Sequence, residues 1–206
     1  MKFYNSIGPN PRVVKMFMAE KGIDIPRVEV DLRAGENRQP AHLARNPSGQ
    51  MPTLELDDGR YLAEVTAICE YLEEKYPNPP LIGATPEERA MTRMWTRRVD
   101  LYIVEPMLTG FRGAEGYNFF KDRMRLLPQA AADLKALAQE KIAWLDGLIA
   151  GRDFIAGGRF TLADILLFCT MDFAATVGQP VNRGNANIAA WFDRVAARPS
   201  AEASKK

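Results

Sequence analysis

Few side chains in this sequence are of the types that carry out chemistry on their own. The chain has two cysteines and one histidine. Cys69 and Cys169 lie far apart inside apolar segments, so there is no Cys-x-x-Cys redox pair, and we expect both to be small buried residues. His42 has no companions at the spacing of a zinc site or a Ser-His-Asp triad, and its polar surroundings indicate a surface position. We therefore expect no bound metal.

A helix N-terminus near the start of the chain could bind a negatively charged group. Asn10 is a favourable N-cap, and Pro11 fits the first helical position, where its missing N–H costs nothing. The apolar pair Val13 and Phe17 gives the helix one buried stripe, and Gly22 is typical of a left-handed C-cap. Unpaired N–H groups and the partial positive charge at such an end stabilise a negative charge.

The elements that position this helix read as a β-α-β unit followed by a β-β-α unit. Short apolar or alternating runs predict strands, and the first pair must be parallel because a helix connects them. The turn Asp57-Asp58-Gly59 predicts an antiparallel hairpin. The predicted elements are strands Lys2–Ser6, Arg27–Leu32, Pro52–Leu56 and Arg60–Ala63 and a closing helix Glu64–Tyr76. We expect Glu70, Glu73, Glu74 and Lys75 of that helix to face solvent.

Beyond a proline-rich segment at residues 77–80, only helices are predicted. Thr85 caps the first of these, which we expect to end before Pro106, and a glycine-rich break follows at residues 110–116. Thr161 and Asp164 form a capping box at the start of a fully apolar helix. We expect a frayed tail after residue 200. The predicted domains are residues 1–77 and 86–206, joined by a linker at 78–85.

The composition argues against several classes of function. Lysine plus arginine number 27 against 26 aspartates and glutamates, so no strong field attracts nucleic acid or an anionic membrane. No apolar run approaches the roughly 18–20 residues of a membrane span, and the N-terminal segment lacks the apolar region of a signal peptide. No glycine-rich phosphate loop is present. We expect a cytoplasmic protein that binds neither nucleic acid nor membrane.

Four segments, taken in chain order, match features of one known family: Asn46–Leu54, Leu62–Leu72, Phe160–Ile165 and Trp191–Pro199. With these segments the chain resembles the cytosolic glutathione S-transferase family over nearly its whole length. The first resembles the family's loop into a cis-proline strand, and the second its carboxylate-binding turn and helix. The third resembles the capping box of the helical domain, and the last its closing helix with an Arg-Pro end.

The resemblance implies an α/β, thioredoxin-like N-terminal domain that binds glutathione, followed by an all-α C-terminal helical bundle. The chain looks closest to bacterial and fungal forms that lack a Tyr, Ser or Cys at the thiol-contacting position. Gly8 stands about where the serine-type members carry their serine. Glutathione would be a co-substrate, and the family implies a homodimer with a role in detoxification.

By this resemblance, Asn10 and Ser6 are the candidates to contact the glutathione sulfur. The Asn10 amide could donate a hydrogen bond to the thiolate, or it could only cap its own helix, and both roles are compatible because an amide has a donor end and an acceptor end. Ser6 could equally be an ordinary strand-end residue. Tyr4 resembles a tyrosine-type catalytic group only loosely, and a core aromatic is the alternative.

The remaining glutathione contacts are implied for two motifs and two flanking side chains. A cis Met51-Pro52 bond would expose the Met51 backbone as a strand edge that pairs with the cysteine of glutathione, the alternative being a trans-proline turn. Glu64 could accept from the γ-glutamyl ammonium, or merely favour the helix dipole, while the N–H of Val65 holds the α-carboxylate. Arg38 and Gln50 are candidates for the glycine carboxylate, although Arg38 could be solvated.

The hydrophobic substrate pocket is expected in the helical domain, near the glycine-rich break. Tyr102, Phe111 and Tyr117 are its candidate residues, and core packing is the alternative for each. Asp100 could reach the glutathione of a partner subunit, or lie on a solvated face.

The leading functional hypothesis is conjugation of the glutathione thiolate to a small hydrophobic electrophile. The alternatives are glutathione-dependent reduction of a disulfide or peroxide, and a non-catalytic binding protein with the same fold. The absence of side-chain hydroxyls at Gly8 and Val65 favours the last reading somewhat.

Overall fold

A computed structural model describes all residues, 1–206, and the chain forms two compact units. The first unit contains Met1–Ile82 together with Pro199–Lys206, and the second contains Gly83–Arg198. These units differ from the predicted domain ranges in two places. Most of the expected linker belongs to the first unit, and so do the last eight residues of the chain.

The first unit is built on a mixed four-stranded sheet in the order β2-β1-β3-β4. β1 and β2 are parallel, while β1/β3 and β3/β4 are antiparallel, which confirms the predicted β-α-β and hairpin arrangement. The strands are shorter than predicted. The elements are β1 (Lys2–Asn5), α1 (Pro9–Lys21), β2 (Arg27–Glu29), a 3-10 turn (Glu36–Arg38), α2 (Pro40–Leu43), β3 (Thr53–Glu55), β4 (Tyr61–Leu62) and α3 (Val65–Lys75).

The start of α1 corrects the expected cap. Gly8 is the N-cap residue and Pro9 opens the helix, so Asn10 lies one position inside it and makes no capping hydrogen bond. Gly22 ends α1 in the left-handed conformation, as predicted. The helix begins two residues earlier than predicted because Gly8 adopts a backbone conformation, φ 113° and ψ 171°, that leaves room for Pro9 at the first position.

An ion pair holds the far ends of α1 and α3 together. Lys21 Nζ lies 2.6 Å from Glu73 Oε2 and both side chains are buried, so the prediction that Glu73 faces solvent is wrong. Glu73 also accepts from the backbone N–H groups of Leu81 and Ile82, and Lys21 donates to the carbonyl of Tyr76. These bonds satisfy both buried charges, without which burial would be costly.

The expected frayed tail is a short helix, α10 (Pro199–Ala203), that packs on α1. Arg12 Nε donates to Ser204 Oγ at 3.2 Å, and the hydroxyl of Ser200 donates to the Glu20 carboxylate. Ser204 is completely buried. The polar sequence of this segment did not predict an ordered helix, because the contacts that hold it involve residues nearly 200 positions away.

The second unit consists only of helices, which confirms the predicted fold class for the chain as a whole. Its elements are α4 (Pro86–Val99), a π-helical turn (Asp100–Val104), α5 (Glu105–Gly113), α6 (Tyr117–Phe120), a 3-10 turn (Pro128–Ala130), α7 (Ala131–Leu148), α8 (Leu162–Thr176) and α9 (Ala186–Ala196). None of the helices combines the length and the apolar character that crossing a bilayer requires. Cys69 of the first unit and Cys169 of α8 are both buried, as expected.

The chain runs from α4 to α5 without the expected stop at Pro106. The N–H of Glu105 donates to the carbonyl of Asp100, five residues back, and this wider turn accommodates a proline near the start of α5. The predicted break at 110–116 begins only at Ala114, because Gly110 and Gly113 are helical. A Cβ on Gly110 would lie 2.7 Å from Lys135 Cγ, so this glycine permits close packing of α5 on α7.

The predicted capping box of α8 is present and is the most heavily bonded polar group of the second unit. The Asp164 carboxylate accepts from Thr161, from the N–H of Ile155 and from the indole of Trp191, at 2.8–2.9 Å. Burial raises the pKa of Asp164, and these donors oppose that shift. One side chain therefore joins the start of α8 to the preceding loop and to α9.

We expect the substitution Asp164→Ala to lower the free energy of unfolding by at least about 3 kcal/mol, because it leaves several buried donors unpaired. Urea unfolding followed by circular dichroism measures the change. Asp133→Ala removes an exposed carboxylate from the first turn of α7 and should cost less than about 1 kcal/mol. Equal losses in the two variants would contradict the role given to Asp164.

Candidate functional site

The register of the sheet brings the predicted site segments of the first unit to one edge. Tyr4 pairs with Thr53 in antiparallel register, so the end of β1 lies beside the start of β3. Leu54 pairs with Leu62, which places the end of β4 at this same edge. The start of α1, the Met51-Pro52 bond and the start of α3 each adjoin one of these strand ends.

At the start of α1, the side chain of Asn10 has unused hydrogen-bond donors, whereas that of Ser6 does not. The hydroxyl of Ser6 donates to the carbonyl of Val30 at 2.6 Å, and the residue is only 5% exposed. Its single donor hydrogen is therefore already used. Asn10 is half-buried and its side-chain amide makes no hydrogen bond, so both of its donors are unused. Of the two candidates, only Asn10 has a free donor at this helix end.

Tyr4 belongs to the core beneath the site. Its hydroxyl donates to Glu55 at 2.8 Å, and burial together with this hydrogen bond raises its pKa. Its ring packs with Val30 and Met51 in one apolar cluster. This environment matches the core-aromatic interpretation, and it anchors the side chain of Met51.

The loop that enters β3 is held by a network centred on Asn46. The Asn46 amide donates to the carbonyl of Gln50 at 2.9 Å and accepts from the N–H and hydroxyl of Ser48. The Met51-Pro52 peptide bond is cis, as the resemblance implied. The N–H and C=O of Met51 make no hydrogen bond within the chain. The loop thus presents an unpaired stretch of backbone at the end of β3.

The start of α3 offers a second set of unused backbone groups. Val65 is its first residue, and the earliest hydrogen bond within the helix is donated by Ile68 to the carbonyl of Glu64. The N–H groups of the first turn therefore have no intrahelical partner and point towards any anion placed there. Glu64 is exposed and has φ 68°, the only non-glycine residue with positive φ. Such strain at an exposed residue is typical of a functional position.

Arg38 and Gln50 flank the same loop. Arg38 Nη1 donates to the carbonyl of Ser48 at 3.1 Å, while its Nε is buried without a partner. Gln50 is half-buried. His42 is 2% exposed, so its predicted surface position is wrong; burial, Arg45 and Arg38 lower its pKa. The helix α2 turns this histidine inward, which its polar sequence neighbours did not indicate.

In the second unit the three predicted pocket residues have different aromatic neighbours. Phe111 lies in what we call the phenylalanine cluster: Phe111, Phe119, Phe120 and Phe173, with contacting ring centroids 4.8–6.1 Å apart. Tyr117 is exposed on α6, the helix that also carries Phe119 and Phe120. The ring of Tyr102 packs edge-on against Trp144 at 6.1 Å.

Two features of the site were not predicted from the sequence. The supporting role of Asn46 was not predicted, although an Asn-Pro-Ser-Gly sequence is typical of a side-chain-stabilised turn. The positive φ of Glu64 carried no sequence signal, because the residue types that favour this conformation are glycine, asparagine and aspartate.

Comparison with family models matches both parts of the chain. Residues 7–75 match the N-terminal domain of glutathione S-transferases. Residues 122–199 match the C-terminal domain of the same family. The first match lies within the first unit, and the second lies in the second unit apart from its last residue, Pro199.

Whole-chain comparisons agree with the family models. Glutathione S-transferase 2 of Saccharomyces cerevisiae is 32% identical over 195 residues, covering 94% of this chain and 84% of the relative. The crystal structure of Gtt2 from the same yeast superposes with a TM-score of 0.93 at 31% identity, covering 99% and 100% of the two chains. A glutathione S-transferase domain-containing protein of Marinobacter aquaeolei gives a TM-score of 0.90 at 36% identity, covering 97% and 99%.

The backbone at Gly8 predicts how the site responds to a serine there. At φ 113° a side chain is strained whatever space surrounds it, so Gly8→Ser should lower the free energy of unfolding by about 1–3 kcal/mol. Thermal or urea unfolding measures this. Gly158→Ser is the control, because Gly158 has open space and no positive φ. A Gly8→Ser variant as stable as the control would contradict the strained conformation.

Proposed function

Because the chain belongs to the glutathione S-transferase family, we propose that it binds glutathione at the sheet edge of the first unit and transfers the thiolate to a small apolar electrophile. The observation that carries this proposal is the convergence of unused backbone donors and acceptors at that edge: the strand-like Met51, the first turn of α3 and the start of α1. A short peptide with a thiol and two carboxylates complements all three.

The cysteine residue of glutathione pairs with Met51. An extended peptide adds to an exposed strand edge through main-chain hydrogen bonds, and the unpaired N–H and C=O of Met51 provide one donor and one acceptor. The packing of the Met51 side chain with Tyr4 and Val30 limits the movement of this edge, so little ordering is needed on binding.

The γ-glutamyl group lies at the start of α3. Its α-carboxylate accepts from the free N–H groups at Val65 and Thr66, where the helix dipole adds to the attraction. The exposed carboxylate of Glu64 accepts from the ammonium group. Valine supplies no hydroxyl at this position, which costs about 0.5–1.5 kcal/mol of affinity relative to a serine or threonine.

The glycine carboxylate is bound by Arg38 and Gln50. The Arg38 side chain already reaches the carbonyl of Ser48, and its positive charge favours a carboxylate beside this loop. The Gln50 amide supplies a neutral donor from the adjoining residue.

The thiolate lies against the start of α1, where Asn10 donates a hydrogen bond. A free thiol has a pKa near ~8.5, so a neutral solution contains only a few per cent of the reactive thiolate. A helix end and a side-chain donor stabilise the charged form and lower that pKa. The sulfur then forms a bond to the electrophilic carbon, and the leaving group departs with its electron pair.

The electrophile has an apolar body, with Phe111 and Tyr117 as its contacts in the second unit. Ring surface on a half-buried phenylalanine and an exposed tyrosine suits an aromatic substrate. Tyr102 is better suited to a subunit interface. A cytoplasmic location and a role in detoxification stay predictions.

A homodimer is proposed on the apolar stripe along α7. Leu137, Trp144 and Leu148 are 43%, 41% and 38% exposed and follow helical spacing on one face. Tyr102 packs on Trp144, and Leu101 beside it is also exposed. An apolar stripe of this length on a solvent face is typical of a protein interface. Asp100, next to Leu101, could then approach the glutathione of the partner subunit.

Asn10→Ala should lower kcat/KM for conjugation of glutathione to an aryl chloride by about 10- to 100-fold, because a hydrogen bond to a charged group contributes about 1.5–3 kcal/mol. A rise in melting temperature on adding glutathione should persist in this variant, since the other contacts remain. Steady-state kinetics and a thermal shift measurement test the two statements.

Ser6→Ala serves as the comparison, and its turnover should fall by less than tenfold because the hydroxyl is engaged with Val30. A larger loss in Ser6→Ala than in Asn10→Ala would assign the sulfur contact to Ser6. Absence of any thermal shift with millimolar glutathione in the unmodified chain would contradict the proposed function itself.

Trp144→Arg should convert a dimer into a monomer in sedimentation velocity, because an uncompensated charge would be buried at the centre of the stripe. Leu127→Arg is the control, since Leu127 is similarly exposed but lies outside α7. A dimer that tolerates Trp144→Arg, or a chain that sediments as a monomer without any substitution, would contradict this interface.

A further inference from the structure

The phenylalanine cluster is accessible rather than closed. Phe111 packs edge-on against Phe173 at 5.0 Å and against Phe120 at 6.1 Å, and Phe119 meets Phe120 at 4.8 Å. All four side chains are only half-buried. A fully packed core would cover these rings, so part of their apolar surface is available to another molecule.

A positive charge lies against this cluster with no counterion in the chain. Arg112 adjoins Phe111 in α5, and its guanidinium carbon is 6.0 Å from the centroid of Phe120. The side chain is half-buried and makes neither a hydrogen bond nor an ion pair with the protein. Burial lowers the pKa of Arg112, as expected for a cation removed from water without a partner.

The acidic groups near Arg112 do not neutralise it. Glu105 lies on the same helix and attracts the guanidinium, yet its carboxylate accepts from the hydroxyl of Thr109 at 2.8 Å and forms no ion pair with Arg112. Glu115, beyond the end of α5, is bonded to Lys135 at 2.7 Å. Neither carboxylate is positioned to occupy the donors of Arg112.

A second cation lies over the rings. Arg123 is 3.9 Å from the ring centroid of Phe119. The charges that only adjoin the cluster in sequence are of both signs: Lys121 and Asp122 after α6, and Asp172 beside Phe173. A ligand at the rings therefore meets the two cations Arg112 and Arg123. The guanidinium nitrogens of Arg112 are absent from the fully enclosed unpaired atoms of the chain, so they remain accessible to such a ligand.

We propose that Arg112 is a specificity-determining residue that selects aromatic electrophiles carrying a carboxylate or a similar anionic group. The rings of the phenylalanine cluster bind the aromatic body, and the planar donors of Arg112 pair with the anion in bidentate fashion. This inference rests on the proposed function for turnover, but its binding component can be measured without glutathione. A purely structural Arg112, whose stem only covers Phe120, would give no preference for anions.

The binding test compares 4-phenylbutyrate with 4-phenylbutanamide, which share one apolar body and differ in charge. Calorimetric titration of the full chain should show the carboxylate binding at least about tenfold more tightly. Arg112→Met should bring this ratio close to one, and Arg112→Lys should retain part of it. Arg125→Met removes an exposed charge of the same unit and should keep the ratio of the unmodified chain.

Several results would overturn the proposal. These are a ratio near one in the unmodified chain, an unchanged ratio in Arg112→Met, an equal loss in Arg125→Met, and failure of both ligands to bind. A ratio that collapses only in Arg112→Met and recovers in part in Arg112→Lys would support it.

The turnover test uses 4-chloro-3,5-dinitrobenzoate and its neutral amide with glutathione. In each reaction a carbon–sulfur bond forms at the ring carbon and chloride leaves with the bonding electron pair. After division by the uncatalysed rates, kcat/KM should favour the benzoate, and Arg112→Met should abolish that preference. Turnover of neither compound would contradict the proposed function, while the calorimetric ratio would still decide the role of Arg112. Equal turnover of both compounds would contradict the anion preference alone.

Discussion

The first unit depends on backbone polar groups for which the fold provides no internal partner. Most buried N–H and C=O groups in proteins are paired, yet Met51 and the first turn of α3 keep theirs unused at one edge of the sheet. Such groups are stable only where solvent or a ligand reaches them. The arrangement therefore determines which molecules fit: those with an extended main chain and a carboxylate at the right separation.

The surrounding residues hold these unpaired backbone groups in place without forming hydrogen bonds to them. Asn46 holds the loop together through hydrogen bonds with Ser48 and Gln50, and the neighbouring Met51 backbone makes no internal hydrogen bond. Beneath the loop, Met51 packs in the apolar cluster of Tyr4. At the opposite end of the helices, Lys21 and Glu73 join α1 to α3. Preorganisation of this kind reduces the entropy lost when a ligand binds.

Local signals in the sequence predicted the helices and strands, but they did not predict the contacts between these elements. The capping box at Thr161 and Asp164 is encoded within four residues, so its prediction is confirmed. By contrast, His42 and Glu73 were expected at the surface and are buried. Glu73 pairs with Lys21 of another helix, and the polar neighbours of His42 in sequence gave no sign that α2 turns it inward. Gly110 read as a helix break, whereas its lack of a side chain serves close packing of α5 on α7.

The proposed function requires that glutathione contacts the unused backbone groups of the first unit. Backbone amide resonances of the full chain, followed by NMR during titration with glutathione, test this at the level of single residues. We expect saturable shifts of the Met51 and Val65 amides with a common dissociation constant. Glutathione that leaves both amides unperturbed, or shifts only residues of the second unit, would contradict it.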